Sequence, residues 1–198
     1  IMSRKAKVGF VGTGVMGKSI VKHLLAAGHE VSIYTRTKEK AKDLLDLGAK
    51  WAESPGEVAV QVEVIFTMVG YPSDVEEIYY GDTGIFENGK PDLIAIDLTT
   101  STPTLAIDLY KKAQAVGMSS LDAPVSGGDV GAKSGKLSIM VGGDKDVFDK
   151  IQPMFSLFGE NVVYQGKAGA GQHTKMANQI AIASTMIAAC EAIKYAKE

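Results

Sequence analysis

Gly12, Gly14 and Gly17 form a G-x-G-x-x-G pattern between an apolar run, Lys7 to Val11, and a segment of helical periodicity. The first glycine permits a tight turn, the second leaves room for a pyrophosphate against the backbone, and the third lets strand and helix pack closely. The amides of Val15 and Met16 then face an anion at the helix N-terminus, where the peptide dipoles favour negative charge. A dinucleotide is the predicted ligand. The next strand ends in Tyr34-Thr35-Arg36-Thr37, followed by Lys38 and Lys40. Sites for NAD place Asp or Glu at this point, to accept from the ribose 2′-hydroxyl, and no carboxylate stands there. Arg36 can stack on adenine and pair with a 2′-phosphate in a charge-assisted fork, while Thr35 and Thr37 offer hydroxyls. The predicted cofactor is therefore NADP, with NAD second.

A second glycine loop, Asp122-Ala123-Pro124-Val125-Ser126-Gly127-Gly128, follows another apolar strand. Successive amides in such a turn form a concave anion site, and the Ser126 hydroxyl adds a donor suited to a carboxylate. Lys175, Asn178 and Gln179 stand at i, i+3 and i+4 and share one face of a helix near its start. A lysine partly desolvated there has a lowered pKa, which makes it a proton donor to a developing alkoxide and an acceptor in reverse. His23, His29 and His173 have no carboxylate in sequence reach and read as surface or supporting residues.

Alternating elements position these groups. Strands are predicted at Lys7 to Val11, Glu30 to Tyr34, Val64 to Met68, Leu93 to Asp97, Met118 to Asp122, Leu137 to Val141 and Val162 to Tyr164. Helices are predicted at Val15 to Ala27, Lys38 to Leu47, Thr102 to Val116 and Lys145 to Leu157. Further helix starts are marked by Ser54-Pro55-Gly56-Glu57 and by Ser73 with Glu76, two capping-box patterns. The pattern is that of a doubly wound α/β domain over residues 1–166. Residues 167–198 read as a glycine-rich joint and one helix from Gln172 to Glu198, about 40 Å long. Its middle, Ile180 to Cys190, is apolar on almost every face, as in a helix enclosed by other helices.

With 198 residues, 45% hydrophobic and 22% charged, the composition excludes global disorder. A net charge of −2 supplies no broad basic surface for nucleic acid or an anionic membrane. The single cysteine, Cys190, cannot form an intrachain disulfide, and no Cys and His cluster has metal-ligand spacing, so no metal is expected. The charge-free stretch Met176 to Cys190 contains Asn178, Gln179, Ser184 and Thr185 and reads as too short for a membrane span. A cytoplasmic protein is expected, and Ile1 ahead of Met2 reads as an added residue.

Four ordered motifs over essentially the whole chain resemble the β-hydroxyacid dehydrogenase family. They are Gly9-Phe10-Val11-Gly12-Thr13-Gly14-Val15-Met16-Gly17, then Asp97-Leu98-Thr99-Thr100, then Asp122 to Gly128 running on through Gly131-Ala132 and Gly135 to Met140-Val141-Gly142-Gly143, and finally Gly169 to Gln179. The resemblance implies a Rossmann-type domain followed by a long interdomain helix that begins a second, all-helical domain. It implies hydride transfer between a nicotinamide and a small hydroxy acid or its semialdehyde, with Lys175 as acid and base and Ser126, Gly127 and Gly128 gripping the substrate carboxylate. It also implies cofactor contacts at Met68, Val69, Gly70 and Thr100, and assembly into a homo-oligomer through the helical domain. The chain departs from the family in two ways. Many members carry asparagine four residues after the lysine, where Gln179 stands beside Asn178. Members are near 300 residues, and only the first helix of their second domain is present. An imine reductase of similar architecture and a non-catalytic nucleotide-binding module are the alternative functions; Lys175 together with the Ser126 loop separates them from the first.

Overall fold

The structure, a computed structural model, describes residues 5–197. The readings at Ile1, Met2 and Glu198 lie outside the described residues. Strand β1 (Lys7–Val11) turns at Gly12 into helix α1 (Val15–Ala26), and β2 (Glu30–Tyr34) returns parallel to β1 in the register Lys7↔Glu30 to Val11↔Tyr34. The segment predicted as one helix opens as a 3-10 turn, Lys38–Ala41, and continues as α2 (Lys42–Asp46). A two-residue strand, β3 (Lys50–Trp51), pairs with β2 and carries too little alternation to be read from sequence.

Helix α3 (Pro55–Gln61) starts as its residues dictate. The Ser54 hydroxyl accepts from the Glu57 amide at 3.0 Å, and Pro55 takes a first-turn position where no N–H is needed. After β4 (Val64–Thr67), the start predicted at Ser73 and Glu76 is corrected: α4 (Pro72–Tyr80) begins earlier, and the Asp74 carboxylate accepts from the Tyr71 amide at 3.0 Å. Pro72 fixes that start, because its ring presets the helical φ. A short α5 (Ile85–Asn88), β5 (Ile94–Asp97), α6 (Pro103–Ala115) and β6 (Ser119–Asp122) complete the parallel part of the sheet.

Beyond β6 the sheet becomes mixed. The second glycine loop holds a short strand, β7 (Val125–Ser126), and helix α7 (Gly128–Ser134); β8 (Leu137–Gly143) then runs antiparallel to β6 and β7. A seven-residue helix advances the chain only about 10 Å. It cannot carry the chain back along the sheet, so β8 starts from the end where β7 stopped. Helix α8 (Lys145–Phe155) returns the chain to β9 (Gly159–Gly166), parallel to β8. The strand order is β3-β2-β1-β4-β5-β6-β8-β7, with β9 also on β8.

The strands alternate their side chains between two cores, as a sheet covered on both faces requires. Val64, Phe66, Ile94 and Ile96 join Ile20, Leu24, Ile151 and Phe155 on one face. Ile65 and Ala95 join Val58, Val75, Tyr79, Leu105 and Leu109 on the other.

A polar layer closes the carboxyl ends of β4, β5 and β6. Asp97 Oδ1 accepts from the Thr67 hydroxyl at 2.9 Å and from the Thr99 amide at 3.0 Å, and the Thr99 hydroxyl accepts from the Val69 amide at 3.1 Å. Burial pushes the Asp97 carboxyl up to about 6, against the hydrogen bonds from Thr99 and Thr67. Beside it, Asp122 accepts from the amides of Gly169 at 2.8 Å and Gln172 at 2.9 Å. Those amides open the final helix, α9 (Ala170–Lys197).

Helix α9 has 28 residues, about 42 Å of length. Its first turn is seated, with Gly171, Gln172 and Lys175 buried, while Ile180, Met186, Ile187 and Ile193 are exposed. An 18-residue window with a mean hydropathy of 1.3 makes it long and apolar enough to cross a membrane by length and composition. That corrects the reading from the charge-free stretch alone. The interior helix of a water-soluble protein has the same pattern.

Two outcomes follow from this packing. A Cβ at Gly171 would collide with the Met140 carbonyl and lie 2.8 Å from the Asp122 carbonyl and carboxylate. Overpacking against backbone costs about 1–3 kcal/mol, so Gly171→Ala lowers the urea midpoint at unchanged slope; an unmoved midpoint would show that α9 is not seated this closely. The second concerns Asp97, whose carboxyl ionises at an ordinary 3.8 in the unfolded chain and about 6 in the folded one. Between those values the folded state binds more protons, so ionising Asp97 reduces stability as pH rises through that window. Asp97→Asn keeps the acceptor and cannot ionise. It therefore gains stability relative to the parent as pH rises across the window, and urea unfolding at a series of pH values in which the difference stays constant would refute this.

Candidate active site

The glycine turn is fixed by close approach. Gly12 has φ +97°, and a Cβ there would collide with the Met68 carbonyl; a Cβ at Gly17 would collide with the Gly12 carbonyl. At Gly14 a Cβ would meet nothing within 4 Å. The first and last glycines thus hold β1, β4 and α1 together, and the middle one keeps an open side. Gly14 is also the N-cap of α1 and makes no side-chain cap bond, so the first-turn amides are available to a ligand. The Thr13 hydroxyl is buried without a hydrogen-bond partner among the described residues. An open cradle with free amides and an unsatisfied hydroxyl beside it fits a dinucleotide pyrophosphate.

A groove of about 440 Å³ runs from this turn. It is lined by Gly12, Gly14, Val15, Met16, Gly17, Thr35, Arg36, Met68, Val69 and Gly70, all expected at the site from the sequence, and by Tyr34, Pro55, Asp74, Glu77 and Thr83, which the sequence alone does not assign to it. Thr37 lies outside it, exposed, as the residue before the 3-10 turn. Arg36 is largely exposed, and its Nη1 lies 3.5 Å from Asp74 Oδ1. The sequence reading missed Asp74 because it placed the helix cap at Ser73 and Glu76. Its place as the third helical position, counting Pro72 as the first, is the signal that identifies it.

A second cavity, of about 550 Å³, shares Met16, Met68, Val69 and Gly70 with the groove. Its other lining residues include Thr99, Thr100, Ser126, Gly127, Gly128, Lys175, Gln179 and Ile182. Thr100, expected as a cofactor contact, thus stands in this cavity rather than in the groove. Asn178 is absent from its lining, and its Nδ2 donates to Gln179 Oε1 at 3.3 Å. Of the two amides, Gln179 is the one at the cavity.

Lys175 is 6% exposed. Burial holds its pKa below that of an ordinary lysine. It has no ion-pair partner among the described residues. Its place is set by Gln172, one turn earlier and fully buried: Oε1 accepts from the Ser101 amide at 3.0 Å, and Nε2 donates to the Thr99 carbonyl at 2.7 Å. Asp122 fixes the same turn, although burial pushes its own carboxyl up against the pull of the amides. Both residues stand within the sequence motifs, where neighbouring spacing alone points to no task for them. Polar groups at the docking end of an apolar helix are the signal that exposes them.

The NAD binding domain of 6-phosphogluconate dehydrogenase matches residues 7–166. An uncharacterized oxidoreductase of Bacillus subtilis, YkwC, is 55% identical over 98% of this chain and 67% of its own length. A Mycobacterium tuberculosis 3-hydroxyisobutyrate dehydrogenase solved with L-serine superposes with a TM-score of 0.90 at 31% identity, covering 96% of this chain and 64% of that one. Psf3, solved with NADP+ and 2-OPP, has a TM-score of 0.84 at 33% identity over 88% of this chain and 62% of its own. The chain thus spans about two thirds or less of the length of these relatives. A glycine-turn groove of this type, within a domain matched over residues 7–166 and a chain 55% identical to such an oxidoreductase over 98% of its length, places the chain in the β-hydroxyacid dehydrogenase family, as a 3-hydroxyisobutyrate dehydrogenase-like NAD-binding domain.

Proposed function

We propose that the protein is an oxidoreductase that transfers hydride between NADP(H) and a small 3-hydroxy acid or its semialdehyde, of the 3-hydroxyisobutyrate dehydrogenase or 2-hydroxy-3-oxopropionate reductase kind. The observation that carries this is the buried Lys175 in one cavity with Ser126, Gly127 and Gly128, which shares the wall Met68 to Gly70 with the dinucleotide groove. When bound, the nicotinamide supplies the hydride in reduction and takes it in oxidation.

The residues of the chain do the rest. Ser126 donates its hydroxyl to the substrate carboxylate, alongside the Gly127 and Gly128 amides in their positive-φ turn. Lys175 gives its proton to the carbonyl oxygen as the carbon is reduced, and takes one from the hydroxyl in the reverse direction. The Gln179 amide orients that oxygen, and Asn178 steadies Gln179. At the far end of the groove Arg36 and Thr35 meet the 2′-phosphate. The exposed apolar length of α9 supports assembly through this helix with further helical structure.

Two measurements test the reading. A charge-assisted contact contributes about 1.5–3 kcal/mol, so NADPH binds at least about tenfold tighter than NADH, and Arg36→Ala removes most of that difference. Fluorescence titration of both cofactors decides it, and equal affinities in the parent would refute the preference. For catalysis, loss of a positioned general acid lowers kcat by about 10²–10⁴, so Lys175→Ala does so while NADPH affinity changes little. Reduction needs the ammonium form and falls as pH rises through the lowered lysine pKa, whereas oxidation needs the amine and rises. A variant within threefold of the parent, or one that keeps both pH limbs, would remove Lys175 from the mechanism.

A further inference from the structure

Arg36 and Asp74 face each other from different elements across one end of the groove, and they are held very differently. Arg36 follows β2, its side chain 74% exposed, and meets Asp74 by one long contact of 3.5 Å. Asp74 is 15% exposed and lies in the first turn of α4, where its Oδ2 is occupied by the Tyr71 amide at 3.0 Å. The carboxylate is fixed and the guanidinium is free to move. A single-contact pair of this exposure contributes little to stability, so its effect is on what else enters the groove.

We propose that Asp74 sets how strongly the groove discriminates between cofactors with and without a 2′-phosphate, a proposal that rests on the NADP reading above. Its fixed negative charge engages Arg36, so an incoming phosphate must draw the guanidinium away from a standing partner. The same charge opposes the phosphate directly, and Glu77, one helical turn further on and also in the lining, adds to that field. A ribose 2′-hydroxyl meets the opposite situation, because Asp74 can accept from it as an acidic residue does in an NAD site. Arg36 therefore favours the phosphate and Asp74 tempers it. A groove with this pair accepts both cofactors, with a preference smaller than a lone arginine would give.

The test is a titration of NADPH and NADH against the parent, Asp74→Asn, Asp74→Ser and Arg36→Ala, read by cofactor fluorescence and by calorimetry without substrate. Both Asp74 replacements keep a side-chain acceptor for the Tyr71 amide and remove the charge, and thermal melting without cofactor confirms that each is folded. The expected result is that both raise the ratio of NADH to NADPH dissociation constants about tenfold, chiefly through tighter NADPH, whereas Arg36→Ala lowers it. A ratio within twofold of the parent in both Asp74 variants, with Arg36→Ala still lowering it, would overturn this proposal and leave the NADP reading standing. A ratio near one in the parent that Arg36→Ala does not move would overturn both.

Discussion

The architecture of the substrate cavity hangs on one carboxylate. Asp122, 5% exposed at the end of β6, takes the amides of Gly169 and Gln172 and so ties the first turn of α9 to the centre of the sheet. A negative charge at a helix N-terminus satisfies donors that the helix cannot satisfy itself and sits at the positive end of the peptide dipoles. Gly142 and Gly171 make the approach possible, since a Cβ on either would run into Asp122. Gln172 then locks the rotation of the helix against Thr99 and Ser101, and Lys175 follows one turn later on the buried side. Among the described residues the lysine side chain has no ion-pair partner that would hold it in place. Its position is a consequence of the turn before it.

The cofactor half depends on none of this. Gly12 and Gly17 are required by backbone collisions with Met68 and Gly12 carbonyls, which arise where β1, β4 and α1 converge. That convergence belongs to the parallel sheet and its two cores. Steric constraint shapes one half of the site and an electrostatic tether the other, and the two meet at Met68 to Gly70. There the Val69 amide is held by Thr99, whose own amide is held by Asp97. The same polar layer thus touches the wall between groove and cavity and, through the Thr99 carbonyl, the helix that carries the lysine.

What the sequence discloses follows from the range of the interactions involved. The glycine turn, the strands of β1, β2, β4 and β5 and the cap at Ser54 are written in neighbouring residues, and they stand where spacing and turn chemistry put them. The direction of β8 is not local. It depends on the chain reversal through β7 and α7, and a strand reads alike in either direction. At the start of α4 two overlapping cap patterns compete, and the proline at the first helical position outweighs the Ser73 and Glu76 pair. Lys175 and Gln179 were legible through their common helix face, but the choice between Gln179 and Asn178 depends on how α9 is rotated, which Gln172 decides through bonds to residues more than 70 positions away. Asp74 was invisible as a groove residue for the same reason: its contact with Arg36 joins two elements that only the parallel sheet brings together.

The exposed length of α9 follows from the same reasoning. Helices of this length in water draw most of their stability from an apolar face packed on something else, and here packing ends soon after Lys175. From Ile180 onward the apolar residues occupy every side, so no single face of a neighbouring element would cover them. A covering structure would have to surround the helix, and in doing so it would close the mouth of the cavity, because Gln179 and Ile182 line that cavity from the same helix. Water exclusion around Lys175 and the burial of α9 are therefore one physical requirement. A structure that surrounded the helix would also determine how far the lysine is desolvated, and with it the pH at which the proton moves.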